Sequence, residues 1–376
     1  MTNVLNRSAR YAATSSHHQG GPMTVSDTAP VTKLPTVVMD AVRELGYKEK
    51  DINDGEMLGF MRAQTTVSQD GRRHHTANAF LHPAENRKNL TIRANSVACK
   101  ILFDGLRAVG VKYRSRFTDT EVYANKEIIL CAGTIASSQL LMLSGVGPRN
   151  HLENLGISVI ADLPVGKNLQ DHLILVPMRI SGPETLPPPD PKWPDIQLHC
   201  QIGYYHRGPN ENRFLNFSEM FAKPLQHDIS FEERAKKSGL ALMVMICRPK
   251  SVGEIRLRTT NPFDHPIIDP QYLSHPSDVR TMIEGCRFSK KMTETKAFKK
   301  YGAEAEYYNF PNCSHPFDSD GYWEYVVRHA STSVYHTVGT CKMGAVNDPT
   351  AVVDSSLRGC ASLSSGVIEN ICLEYG

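Results

Sequence analysis

The segment from Ile128 to Pro148, IILCAGTIASSQLLMLSGVGP, constrains the fold of this chain more than any other. Its apolar run, Ile128 to Ala132, reads as a strand buried on both faces, of the kind that enters a central sheet. Gly133 follows at once. In the next residues Thr134, Ser137 and Ser138 are available as caps, Leu140, Leu141 and Leu143 for packing, and Gly145 as the stop of a helix. A strand, a tight turn and a helix N-terminus therefore follow one another. A glycine at that junction lets a ligand approach the backbone, and free N–H groups suit phosphate. A plain strand-to-helix turn has the same spacing, so the residues alone leave both readings open.

Upstream, LTIRANSVACKILF, a turn at Asp104-Gly105, LRAVGVKYRSR and TEVYANKEIILCAG predict three strands, the middle one alternating apolar and polar side chains. TVVMDAVREL places Val37, Val38, Ala41 and Leu45 at helical spacing, with Gly46 as the stop. The residues before it are rich in Ser, Thr, Gly and His and read as an irregular arm. A short helix is expected over Arg149 to Gly156. GPETLPPPDPKWP, from Gly182 to Pro194, marks a long loop and a domain boundary. Beyond it come strand-like runs, ALMVMICRP and GEIRLRT, then a long helix from about Ser277 with Val279, Met282, Ile283 and Cys286 on one face. A chain of 376 residues has room for two or three such units.

Charge and hydropathy remove several functions. With 42 Lys+Arg against 39 Asp+Glu the net charge is +3, and no long run of one sign occurs, which argues against nucleic acid as a partner. The longest apolar run, Leu240 to Cys247, stops at Arg248-Pro249, far short of a membrane span. The 9 cysteines are scattered without CxxC and read mostly as small buried hydrophobes. No apolar stretch follows Met1, so no signal peptide is read, while Asn6, Asn89, Asn216 and Asn312 each stand in N-x-S/T. The compartment stays open.

The sequence contains no GxGxxG, GxxxxGK[ST], HExxH or GxSxG. A second informative segment is SVYHTVGTCKMG, Ser333 to Gly344, where His336 stands between an aromatic residue and a Val-Gly-Thr turn. An imidazole held there suits a base at neutral pH, and a structural loop histidine suits the same pattern. Cys341 nearby invites a thiol nucleophile, but catalytic pairs meet in space and sequence proximity carries little. His17-His18 and His74-His75 lack partners at metal-ligand spacing and read as solvated loop histidines.

Together the two segments resemble the glucose–methanol–choline (GMC) oxidoreductases. GTIASSQLLMLSGVGP is similar to their second signature and SVYHTVGTCKMG to the stretch around their active-site histidine. The resemblance extends to GGPMTVSD at Gly20, LGFMRAQTT at Leu58, GRRHHTANAFLHP at Gly71, RKNLTIRANSVACKILF at Arg87, LPVGKNLQDH at Leu163, the segment from Arg248 to Val279 and AVVDSSLR at Ala351. It covers about residue 18 to residue 358, in the manner of the animal glucose-dehydrogenase-like branch.

That resemblance implies an FAD-dependent enzyme oxidising the CH–OH group of an alcohol or sugar, with hydride passing to flavin N5 and on to a further electron acceptor. It makes His336 the catalytic base, places Val97 at the adenine of FAD, and sets Ala132 and Gly133 against the adenosine and diphosphate. It implies an α/β architecture: a partial FAD-binding domain, residues 86–172 and 326–358, interleaved with a substrate domain on a mainly antiparallel sheet, residues 173–325. Residues 1–85 would form an arm and help cover the flavin, and His336 would be buried where the two parts meet. No metal is implied. The family's glycine fingerprint and ribose-binding acid are missing ahead of GGPMTVSD. From Gly359 the residues GCASLSSGVIENICLEYG match nothing in the family, as an aberrant tail would, and the family's second catalytic residue is not found. The purified chain is therefore expected to be colourless and inactive toward dyes. A non-catalytic remnant that binds a ligand or partner through the substrate-domain surface is the alternative.

Overall fold

The computed structural model describes residues 4–6, 17, 20–27, 34–54, 59–62, 64–68, 72–181, 202–205, 239–307, 310, 312–345, 347–359 and 371–373. The proline-rich stretch 182–194 lies outside them. In chain order the principal elements are helix α1 (Leu34–Glu44), strands β1 (Ser96–Asp104), β2 (Arg107–Ser115), β3 (Thr118–Tyr123) and β4 (Ile128–Leu130), and helices α2 (Gly133–Leu143) and α3 (Arg149–Asn154). There follow β5 (Met178–Ser181), β6 (Ile202–Tyr205), β7 (Gly239–Leu242), helices α4 (Pro276–Thr293) and α5 (Lys296–Tyr301), β8 (Glu304–Tyr307) and α6 (Asp320–Ala330). The architecture is mixed α/β with mainly antiparallel sheets. The chain divides into two compact units, each assembled from separate stretches: 1–91, 174–245 and 279–332 form one, and 92–173, 246–278 and 333–376 the other.

The first unit is built on an antiparallel sheet of order β6-β7-β5-β8. Helix α1 buries Val38 and Ala41 as its spacing predicts, but Met39 and Val42 fill the rest of the inward face, while the expected Val37 and Leu45 are only half-buried; Gly46 ends the helix at φ +87°. The Glu44 carboxylate at its end accepts from the N–H groups of Lys296 (2.9 Å) and Ala297 (3.3 Å) at the start of α5, where a negative charge is favoured. Val279, Met282, Ile283 and Cys286 of α4 are all buried, as their spacing requires. In α6 the Ser319 hydroxyl caps Tyr322 N–H at 3.2 Å, and Trp323 is wholly enclosed with its indole N–H on Asp318 Oδ1 at 2.8 Å.

The second unit holds the segments singled out in the sequence. β1, β2 and β3 form an antiparallel sheet whose first turn falls at Gly105-Leu106, one residue beyond the expected Asp104-Gly105, with Asp104 paired to Arg107 as the last residue of β1. The expected third strand is in fact two. β3 ends at Tyr123, and β4 pairs in parallel with Ile371–Leu373 of the tail. Nor is β4 covered on both faces: Leu130 is 6% exposed and packs into the core beside Ile128, whereas Ile129, pointing the other way, is 55% exposed. The core covers one face of this strand, so its side chains alternate despite their uniform hydrophobicity. That core joins Ile101 and Ala108 to Leu140, Leu141, Met142, Val146, Leu152, Leu169, Ile255 and Val353.

Asp278, in the first turn of α4, is buried and gathers a loop around itself. It accepts from Lys250 N–H (2.8 Å), Ser251 N–H (2.7 Å) and the Ser251 hydroxyl (2.6 Å). Burial pushes its pKa up, but the Ser251 hydroxyl and the two N–H groups outweigh burial and hold it below the ordinary carboxylate value. A depressed folded-state pKa stabilises the protein fully above the unfolded value, about pH 4, and the contribution fades as pH falls through the folded value. Asp278→Asn should therefore lower the melting temperature at neutral pH and reduce its dependence on pH below about 4. Parallel melting curves for the two proteins would refute this role.

Candidate active site

His336 lies in a loop, Ser333 to Thr340, that has almost no regular structure yet is bonded along its length. Gln170 N–H donates to Val338 O and Val338 N–H to Gln170 O, both at 2.9 Å, and Gly166 N–H donates to Thr340 O at 2.9 Å. Asn168 Nδ2 donates to Gly339 O at 3.2 Å. Gly339 has φ +100° and passes so close to the 168 peptide that a Cβ there would stand 2.2 Å from Asn168 O. Tyr335, next to the histidine, holds a left-handed conformation at φ +61°, uncommon for a residue with a side chain.

The reciprocal bonds at Thr134 matter most. Its hydroxyl donates to Thr337 O at 2.7 Å, and the Thr340 hydroxyl donates to Thr134 O at 2.7 Å. The two segments that the sequence isolates are thus fastened directly to each other. These hydroxyls are spent on that junction, and the predicted capping role does not arise. The N-terminus of α2 has no side-chain cap, Ser138 Oγ donates back into its own helix at Thr134 O (3.0 Å), and Ser137 is buried.

His336 itself is exposed, not buried, because its loop lies on the surface of its unit. Its Nδ1 stands 3.3 Å from Nδ1 of His172, the ring planes crossing at 79°, and His172 Nε2 is 3.0 Å from Cys247 O. His172 is the functional candidate that sequence reasoning misses. It closes LPVGKNLQDH, but in a chain with 15 histidines nothing in its neighbours marks it. Beside it, Asp171 is buried. Its Oδ2 accepts from the hydroxyls of Tyr272 and Ser333, each at 2.5 Å, while Oδ1 is buried without a hydrogen-bond partner. Burial first, and then Asp171, push the Tyr272 hydroxyl up to about 12, so it remains a donor.

The residues at the helix junction fit an anionic ligand. Ala132 precedes α2 with φ −85° and ψ 5°, Gly133 has φ +76°, and a Cβ built on Gly133 meets nothing within 4 Å. Ala132 and Gly133 are exposed and no side chain caps the first N–H groups of the helix, the chemistry a diphosphate requires. Val97 is half exposed near the start of β1, and β1 is tied to the far end of α2 by Ile101 N–H donating to Ser144 Oγ at 2.8 Å.

The other sequence candidates have surroundings that suit neither a nucleophile nor a metal ligand set. Burial pushes the Cys341 thiol up to about 12, so it is not a thiolate at neutral pH. The His17 ring pairs with Asp51, and His74 Nδ1 accepts from Thr24 N–H at 3.1 Å. Among the described residues no three His, Cys, Asp or Glu side chains gather as a metal site would require, and no helix is long and apolar enough to cross a membrane.

The chain is also similar to known proteins. Residues 3–174 match the amino-terminal model, and residues 249–361 the carboxy-terminal model, of the GMC oxidoreductases. The chain is 32% identical over 368 residues to glucose dehydrogenase [FAD, quinone] of Drosophila melanogaster, covering 91% of this chain and 58% of that protein. It is 34% identical over 361 residues to human mitochondrial choline dehydrogenase, covering 90% and 59%. It therefore spans less than two thirds of the length of these relatives. Pyridoxine 4-oxidase from Mesorbium loti superposes with a TM-score of 0.78 at 25% identity, over 99% of this chain and 70% of that one. With both family models matched, and with the strand–glycine–helix junction bonded to the histidine loop, the chain belongs to the GMC oxidoreductase family.

Proposed function

We propose that this chain serves the FAD-dependent oxidation of a CH–OH group in a small alcohol or sugar, with His336 as the base that takes the hydroxyl proton. The observation that carries the proposal is the pair of Thr134 bonds, which register the histidine loop on the glycine junction. Gly133, Ala132 and the uncapped N-terminus of α2 would hold the diphosphate side of FAD, and Val97 its adenine side. Bound flavin supplies the acceptor for the hydride of the carbinol carbon. Everything else falls to this chain: the exposed ring of His336 meets a substrate hydroxyl from solvent, and its bonded loop keeps it from drifting.

On the same reading, residues 86–172 and 326–358 make the flavin part. Residues 173–325, with some of 1–85, make the substrate part; the family match runs to residue 361, past the expected boundary at Gly359, and 362–376 lie beyond it. Relatives named for glucose, choline and pyridoxine set the first substrates to try.

The test is direct. Purified without added cofactor, the protein is expected to be colourless. With FAD in excess it should acquire a flavin spectrum and reduce a dye when one of these alcohols is present. A chain that binds no FAD and reduces no dye under those conditions overturns the proposal.

A further inference from the structure

The partners of His172 settle which nitrogen of each ring carries a proton. A carbonyl oxygen only accepts, so the 3.0 Å contact to Cys247 O is a hydrogen bond only with the proton on His172 Nε2. A neutral imidazole has a single N–H, which leaves a lone pair on His172 Nδ1. That lone pair faces His336 Nδ1 at 3.3 Å. Two lone pairs would repel each other there, whereas an N–H on His336 Nδ1 donates across the gap. The remaining nitrogen of His336, Nε2, then keeps its lone pair, which meets no hydrogen-bond donor among the described residues. We infer that His172 is a positioning residue which, anchored on the Cys247 carbonyl, fixes the tautomer of His336 with Nε2 as the basic atom.

The surroundings are built to hold this relay. Ile246 N–H donates to Leu173 O at 3.0 Å, fastening the neighbours of Cys247 and His172 together. Val334 N–H donates to His172 O at 3.4 Å, and the Gln170–Val338 bonds fix the histidine loop on the other side. Both rings are therefore set by backbone at two points each. When a substrate hydroxyl gives its proton to Nε2, the Nδ1–H bond to His172 persists unchanged. The relay bears on function only if His336 is the base, so the inference rests on the function proposed above. Its own test is independent of activity.

The chain labelled with ¹⁵N-histidine should be measured by long-range ¹H–¹⁵N correlation near neutral pH, with the His336 signals identified by their loss in His336→Ala. The expected result is a pyrrole-type Nδ1 and a pyridine-type Nε2 for His336. In His172→Phe both signals should move toward the average of two exchanging tautomers. His172→Asn places an amide oxygen where Nδ1 stood and should restore the wild-type pattern. A His336 proton on Nε2 in the wild type, or an unchanged spectrum in His172→Phe, overturns the inference. If the Phe variant does not fold, the wild-type and Asn spectra decide between the same outcomes. A fixed tautomer together with full alcohol oxidation by His336→Ala would remove the base and leave the positioning intact, so the two failures are distinguishable.

Discussion

His336→Ala, supplied with FAD and alcohol, should reduce dye about 10²–10⁴-fold more slowly than the unmodified chain, the usual worth of a positioned general base. The loss should fall on kcat, because the ring is asked to act on the proton in transit more than to hold the ground-state substrate. Flavin binding should be unchanged, since the groups proposed to hold FAD lie at the start of α2 and on β1, and the ring of His336 contacts the ring of His172. The ring is exposed, so its removal leaves no core cavity, and the melting temperature should move little. An alanine variant that keeps most of the wild-type rate would sink the assignment of the base.

Gly339→Ala is the second large effect, and its cause is steric. The backbone there has φ +100°, and a Cβ would stand 2.2 Å from Asn168 O and 2.8 Å from Asn168 Nδ2. No side-chain rotation relieves contact with a peptide oxygen, so the loop must move away from the 166–172 segment. With it would go the Asn168 bond to Gly339 O and the alignment of the Gln170–Val338 pair. Forcing a non-glycine into this conformation costs about 1–3 kcal/mol before the lost bonds are added. Thermal unfolding should show that loss, and alcohol oxidation should fall along with it, because His336 rides on the same loop. A variant with wild-type stability and rate would show that the loop has more freedom than its bonds imply.

Much of this was legible in the sequence, for identifiable reasons. Helices α1 and α4 announce themselves through apolar spacing; α4 buries all four residues that the spacing selects, whereas α1 buries Val38 and Ala41 of its four and turns Met39 and Val42 inward in place of Val37 and Leu45. β1 and β2 follow from alternation and a glycine turn. The apolar run at Ile128 misled, because hydrophobicity along one strand cannot say how many neighbouring layers will cover it. Thr134 misled for a related reason: a threonine at a helix start usually caps, but here the better partners are Thr337 O and Thr340 Oγ1, distant in sequence. His172 was invisible because a ring that acts through another ring shows no local pattern. Its meaning lies in a carbonyl at Cys247 and a nitrogen at His336, and only the fold brings these together.

The two threonine bonds close separations of 203 and 206 residues. Between them the chain leaves the second unit twice, at 174–245 and 279–332, and the whole of the β5–β8 sheet lies in those excursions from a clasp that is already shut. Lengthening a loop that is closed at its base costs little, about 0.6 kcal/mol for each doubling. The parts of the chain that belong to the first unit, 174–245 and 279–332, are therefore free to change in length and content, while Gly166 to His172 stay bound to the histidine loop and the histidine keeps its registration on the glycine junction.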